Sequence, residues 1–129
     1  MIGLSRGLTV FAYTEPVDMR KSFNTLSAVV EEQMKRPVLS GDLFLFVSQD
    51  RKRAKVLYFD GTGLCLLSKR LEKGKFSPLW KRKRDGGLEL SLSELSLFIE
   101  GSESVGRLPL SPALLTHADL RSKMQNDAT

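Results

Sequence analysis

Twelve lysines and arginines stand between positions 51 and 84, against only Asp60 and Glu72, a balance of +10 in 34 residues. The rest of the chain holds eight basic and thirteen acidic residues, or −5, so the overall +5 is concentrated in about a quarter of the molecule. A mild basic excess is common among soluble proteins, but a concentrated one is what an anionic polymer meets first. Arg51, Lys52, Arg53 and Lys55 are therefore candidate phosphate contacts, with Lys69, Arg70, Lys73 and Lys75 and the run Lys81, Arg82, Lys83 and Arg84. A single charge run is more often a solvated face. The functional reading is contact with nucleic acid phosphates, and binding of that kind would weaken steeply in salt.

Arg20 and Lys21 make a second candidate. They fall in the first turn of an expected helix, where the macrodipole disfavours cations by roughly 0.3–1 kcal/mol each. An anion nearby would offset that cost. It is either a phosphate docked at the helix start or a carboxylate such as Glu15 or Asp18. Trp80, beside the last basic run, can stack on a base, although a lone tryptophan is more often core or interface.

Catalytic chemistry is poorly supported. Asp18, Asp42, Asp50, Asp60 and Asp85 suggest a metal-dependent nuclease, and Asp50-Arg51-Lys52 has the acid-x-Lys spacing that some nucleases use. Such a site needs a second carboxylate on a preceding strand, whereas Asp42 and Asp60 lie in turn signals that explain them without a metal. His117 has no partner at metal-ligand or catalytic spacing, and Cys65 reads as a small buried hydrophobe. The expectation is a non-enzyme with no metal and no cofactor. One cysteine also fits a reducing cytoplasm, and no apolar run approaches the roughly 18 residues of a membrane span.

These residues need elements to position them. Leu8 to Tyr13 reads as a strand, followed by Met19, Phe23, Leu26, Val30 and Met34 at helical spacing. The expected helix spans 18–36, with Asp18 as N-cap and Pro37 beyond its end. Three apolar runs, 43–48, 54–59 and 64–71, read as a β-meander, with Asp60-Gly61 in the second turn. Leu43 to Val47 is apolar on both faces, so each face needs cover: the long helix for one, and the C-terminal segments or a second copy for the other. Residues 74–87 read as a long, mobile basic loop. Ser91 and Glu94 have capping-box spacing for a short helix over 92–100, closed by Gly101. Beyond it, 102–129 reads as a tail, partly disordered or carrying a weak helix from Ser111 to Met124. The fold expected is α+β: a single domain over 1–101, with a mostly antiparallel sheet of four or five strands packed on one long helix.

Several phrases together resemble a known family. They are Met1-Ile2-Gly3-Leu4, Pro16-Val17-Asp18-Met19-Arg20-Lys21-Ser22-Phe23, and Leu57-Tyr58-Phe59-Asp60-Gly61-Thr62-Gly63-Leu64-Cys65-Leu66 followed by Lys69-Arg70-Leu71-Glu72-Lys73-Gly74-Lys75-Phe76. They resemble the TnpB-type accessory protein, the second open reading frame product of the insertion sequence 66 transposons of bacteria. Phe59, Thr62, Leu67-Ser68 and the stretch from Ser77 to Arg84 depart from that pattern. The resemblance implies a small protein that serves DNA transposition beside a separate transposase, which is its expected partner. Combined with the charge pattern, it favours a DNA-binding factor that helps assemble the transposase–DNA complex. The alternative is a protein-interaction subunit of that complex without direct DNA contact, and a nuclease comes third.

Overall fold

Leu43 to Val47 forms the central strand of the molecule, and its alternating side chains enter two separate cores. The computed structural model describes residues 8–82 and 87–101, the side chain of Arg82 excepted. Within them the chain forms β1 (Val10–Ala12), α1 (Phe23–Ala28, continued as a π-helical turn over Val29–Gln33), β2 (Leu43–Val47), β3 (Arg53–Phe59), β4 (Leu64–Arg70), β5 (Leu88–Leu90) and α2 (Leu92–Ile99). The sheet has the order β4-β3-β2-β1-β5. β2, β3 and β4 form the expected meander, β5 pairs antiparallel with β1, and β1 and β2 run parallel. The sheet is therefore mixed: a parallel pair needs a crossover, and α1 supplies it.

Phe44 and Phe46 of β2 face α1, joining Phe11, Leu57, Leu26, Val30 and Met34 in one core. Leu45 and Val47 face the other way, where Val10, Ala12, Val56, Phe76, Leu79, Leu95 and Phe98 close the second core. Each fully buried Leu or Phe contributes about 1.5–3 kcal/mol relative to exposure, so a bare face would be a large penalty. C-terminal segments cover the second face, and no second copy is needed to bury it. The stretch expected as a mobile loop does part of this: Phe76 is fully buried and stacks on Phe98 at 5.2 Å, and Leu79–Arg82 forms a short 3-10 turn.

The helix is shorter than its apolar spacing predicts, eleven residues over 23–33 in place of 18–36. Asp18 is not its cap. The Asp18 carboxylate accepts the Arg20 N–H at 2.9 Å and the Asp18 carbonyl accepts that of Lys21 at 3.0 Å, which closes a separate turn ahead of the helix. Aspartate makes such turns readily, and that local bonding competes with helix. Ser22 then takes extended geometry and the helix begins at Phe23, which is largely exposed, as the helix stripe is carried by Leu26, Val30 and Met34. Its last turn widens: Met34 N–H reaches back to the Val29 carbonyl and Arg36 N–H to that of Val30, with Lys35 left-handed at φ 58°. Arg36 then lays its guanidinium 3.5 Å above the Phe11 ring, over the edge of the α1-side core.

α2 follows its sequence signature. Ser91 Oγ accepts the Glu94 N–H, the Glu94 carboxylate accepts the Ser91 N–H, and Gly101 ends the helix at φ 83°. Asp85, His117 and the tail over 102–129 lie outside the described residues.

Two glycines separate backbone conformation from space. Gly61 and Gly87 both have positive φ, at 106° and 98°, but a Cβ at Gly61 meets nothing within 4 Å. At Gly87 it would stand 2.6 Å from Met34 Cε and 3.1 Å from the Ala12 carbonyl oxygen. Gly87→Ala is expected to cost about 2–4 kcal/mol, combining left-handed strain with overpacking, and Gly61→Ala about 1–2 kcal/mol from strain alone. Urea unfolding of both variants checks the order.

Candidate nucleic-acid interface

Three stretches of sequence bring their cations to the same end of the sheet, where β2 stops, β3 starts and β4 stops. The first is the β2–β3 hairpin tip. The Ser48 hydroxyl donates to Asp50 Oδ1 at 2.6 Å and accepts the Arg53 N–H at 3.1 Å, while Asp50 Oδ1 also accepts the Lys52 N–H at 3.0 Å. Asp50 is thereby committed to the turn. Its pKa is lowered by the Ser48 hydroxyl first, then by the Lys52 amide and the charges of Arg53 and Lys52. Arg51, left-handed at φ 61°, completes the tip.

The second stretch is the end of β4 and the turn after it. Arg70 lies directly across from Arg53 and Lys69 across from Ala54. The Leu71 N–H donates to the Lys52 carbonyl at 2.8 Å and the Phe76 N–H to the Arg51 carbonyl at 2.7 Å, which seats the turn carrying Lys73 and Lys75 against the hairpin tip. The third is the Pro16–Lys21 segment, held to the end of β2 by the Val17 N–H on the Val47 carbonyl at 2.9 Å. These bonds bring Arg20, Lys21, Arg51, Lys52, Arg53, Lys55, Lys69, Arg70, Lys73 and Lys75 to one end of the sheet, on both of its faces. Asp42 and Asp60 sit at the other end of these strands, the latter accepting the Thr62 and Gly63 amides and the Thr62 hydroxyl, which hold its carboxyl at about 2.

The candidates do not all present free charge. Lys55 points into the molecule, where its ammonium donates to the Met19 and Lys21 carbonyls, each at 2.7 Å. It is a strut that fixes the segment ahead of α1. Lys69 lies on the opposite face and donates to the Ile99 carbonyl at 2.7 Å, at the end of α2 that favours a cation. Arg70 pairs with Glu72 at 3.2 Å on the open surface. Arg20 pairs with Asp18 through Nη2 at 2.6 Å, and that bond with the Arg20 amide holds the Asp18 carboxyl at about 2. Arg20 and Lys21 therefore precede the helix and do not burden its dipole, and the anion beside Arg20 is Asp18. Lys21, Arg51, Lys52, Arg53, Lys73 and Lys75 make no side-chain hydrogen bond or ion pair among the described residues.

Trp80 is half-buried against the α2-side core, and Lys81 beside it is exposed. Arg82 closes the same short turn by its backbone, while Lys83 and Arg84 lie outside the described residues. The carboxylates of the nuclease reading are not brought together: Asp42 and Asp50 bracket the five residues of β2, roughly 17 Å of extended chain. Among the described residues no three His, Cys, Asp or Glu side chains gather in a metal-holding group. No helix among them is long and apolar enough to cross a membrane.

The strut was missed because a lysine in a basic run reads as surface. Its signal was phase: Lys55 shares a strand face with Leu57, an inward position, where an ammonium needs partners. Lys55→Met is expected to leave the sheet folded and to raise amide hydrogen exchange at Met19 to Ser22 by about tenfold or more, corresponding to loss of two charge-assisted bonds. Exchange followed by mass spectrometry on the folded variant checks this.

The family model described as IS66 Orf2 like protein matches residues 8–106. Two proteins of Sinorhizobium fredii are similar: uncharacterized protein y4jC, 40% identical over 101 residues that cover 78% of this chain and 85% of the relative, and uncharacterized protein y4hO, 34% identical over 101 residues covering 78% and 86%. No solved structure matches the chain significantly. The Pro16-to-Phe23 phrase, the Asp60 turn and the basic end of β4 all fall inside the matched span, and the chain belongs to the IS66 Orf2-like family of insertion-sequence accessory proteins.

Proposed function

We propose that this protein binds DNA phosphates through the basic end of its sheet and so helps assemble the transposase–DNA complex of its element. One observation carries the reading: cations far apart in sequence, at 20–21, 51–53 and 70–75, are drawn to one end by backbone hydrogen bonds, while Asp42 and Asp60 stand at the other. Such a gathering of cations attracts an anionic polymer. Lys55 and Lys69 serve the framework, and Arg20, Lys21, Arg51, Lys52, Arg53, Arg70, Lys73 and Lys75 form the contact surface, with Lys81 beside Trp80 as an outlying charge.

A second reading, an interaction subunit that contacts the transposase without DNA, rests on β4. This strand ends the sheet, and its Leu67 is 58% exposed. Edge strands are templates for pairing with another chain, although Lys69 and Arg70 on this edge work against indiscriminate pairing.

Titration of labelled duplex DNA separates the two. Six phosphate contacts give a loss of affinity of roughly a thousandfold between 50 and 200 mM salt. A flat salt response contradicts the proposal, and absence of DNA binding with co-purification of the transposase favours the second reading.

A further inference from the structure

Between the Pro16–Arg20 segment and the β2–β3 hairpin tip lies an open groove of about 580 Å³. Arg20 stands on one wall, 92% exposed, and Arg53 on the other, near the charge of Asp50 but with no side-chain hydrogen bond or ion pair among the described residues. We propose that this groove is a phosphate subsite, in which a phosphodiester of bound DNA lies between Arg20 and Arg53 and takes the place that Asp18 occupies on the Arg20 guanidinium. The proposal rests on the DNA-binding reading above and locates one contact within it.

The geometry of the Asp18–Arg20 pair is that of an oxyanion on a guanidinium fork. Nε donates to both carboxylate oxygens at 3.1 and 3.0 Å and Nη2 donates to Oδ2 at 2.6 Å. A planar fork takes phosphate in the same two-point manner, so Asp18 fills the position of a phosphate. The pair lies on the surface, where ion pairs are weak and screened, and a phosphate flanked by further cations can displace it.

Displacement needs no refolding. Asp18 also accepts the Arg20 backbone N–H, and that bond remains when the side chain swings away. Lys55 holds the carbonyls on both sides of Arg20, so the segment is fixed beneath a movable guanidinium. On the facing wall Arg53 lies opposite Arg70, whose charge is partly met by Glu72 at 3.2 Å, while the Arg53 side chain makes no hydrogen bond or ion pair among the described residues and can turn to an anion in the groove. Asp50, the other carboxylate in the groove, is occupied by the turn through Oδ1.

The test uses the full chain with a random duplex of about twenty base pairs, titrated across salt, and compares Asp18→Asn, Arg20→Ala, Arg53→Ala and Asp18→Asn with Arg20→Ala combined. Thermal melting confirms folding; asparagine keeps an oxygen for the Arg20 amide. Asp18→Asn is expected to tighten binding about three- to tenfold and to steepen the slope of log affinity against log salt by about 0.9, as Arg20 becomes free to neutralise a phosphate. Arg20→Ala and Arg53→Ala each weaken binding about three- to tenfold, and Asp18→Asn no longer steepens the slope once Arg20 is gone. Normal binding by both arginine variants overturns the subsite, as does a steepening by Asp18→Asn that persists without Arg20, which is only relief of general repulsion. Failure of the unaltered chain to bind in a salt-dependent way overturns the DNA-binding reading itself, and the subsite with it.

Discussion

The burial of β2 on both faces governs this molecule. Leu43 to Val47 sends Phe44 and Phe46 to one side and Leu45 and Val47 to the other, and nothing in a five-residue strand can keep both pairs from water unless two further layers are supplied. The chain before β2 supplies one as α1, and the chain after β4 supplies the other as the Phe76–Leu79 segment and α2. Neither layer is long. Each is tied to the sheet by short connections, and two of these, Pro16–Lys21 and Leu71–Phe76, are bonded where β2 ends and β3 begins, beside the basic residues.

Electrostatics follows from that packing. The bonds from Val17, Leu71 and Phe76 to the Val47, Lys52 and Arg51 carbonyls serve the backbone, yet they hold three cationic segments within one region. Repulsion among those charges is moderated locally: Asp18 sits on Arg20, Glu72 on Arg70, and Asp50 below Lys52 and Arg53. Asp18 and Glu72 are exposed ion-pair partners, weak and screened, whereas Asp50 is fixed in its turn. Lys55 and Lys69 behave differently, because their ammonium groups are satisfied by main-chain carbonyls and tie α1's approach and α2's end to the sheet.

Much of this was legible in the residues. Strand alternation, the Asp60-Gly61 turn and the Ser91–Glu94 capping box each depend on chemistry within a few positions, and each formed where the pattern placed it. The requirement for cover on both sheet faces was also readable from Leu43 to Val47. The helix start was not, because Met19 and Phe23 continue an apolar spacing that the Asp18 turn interrupts. Nor was the anchoring of 74–82: Phe76 and Leu79 are two apolar residues in a basic stretch, and only the α2 side of the sheet shows what they bury against. Position of charge within the set was the least legible. A lysine held by carbonyls and one open to solvent differ only in strand phase and in partners remote in sequence.

Whether the basic end of the sheet is the nucleic-acid surface is decided by amide hydrogen exchange of the full chain with and without duplex DNA at low salt. Added protection is expected at 16–21, 49–53 and 70–76, with 42–44, 60–64 and α2 unchanged. Protection centred on the Asp60 turn, or an unchanged exchange pattern under conditions where DNA is bound, would contradict this role for the basic end.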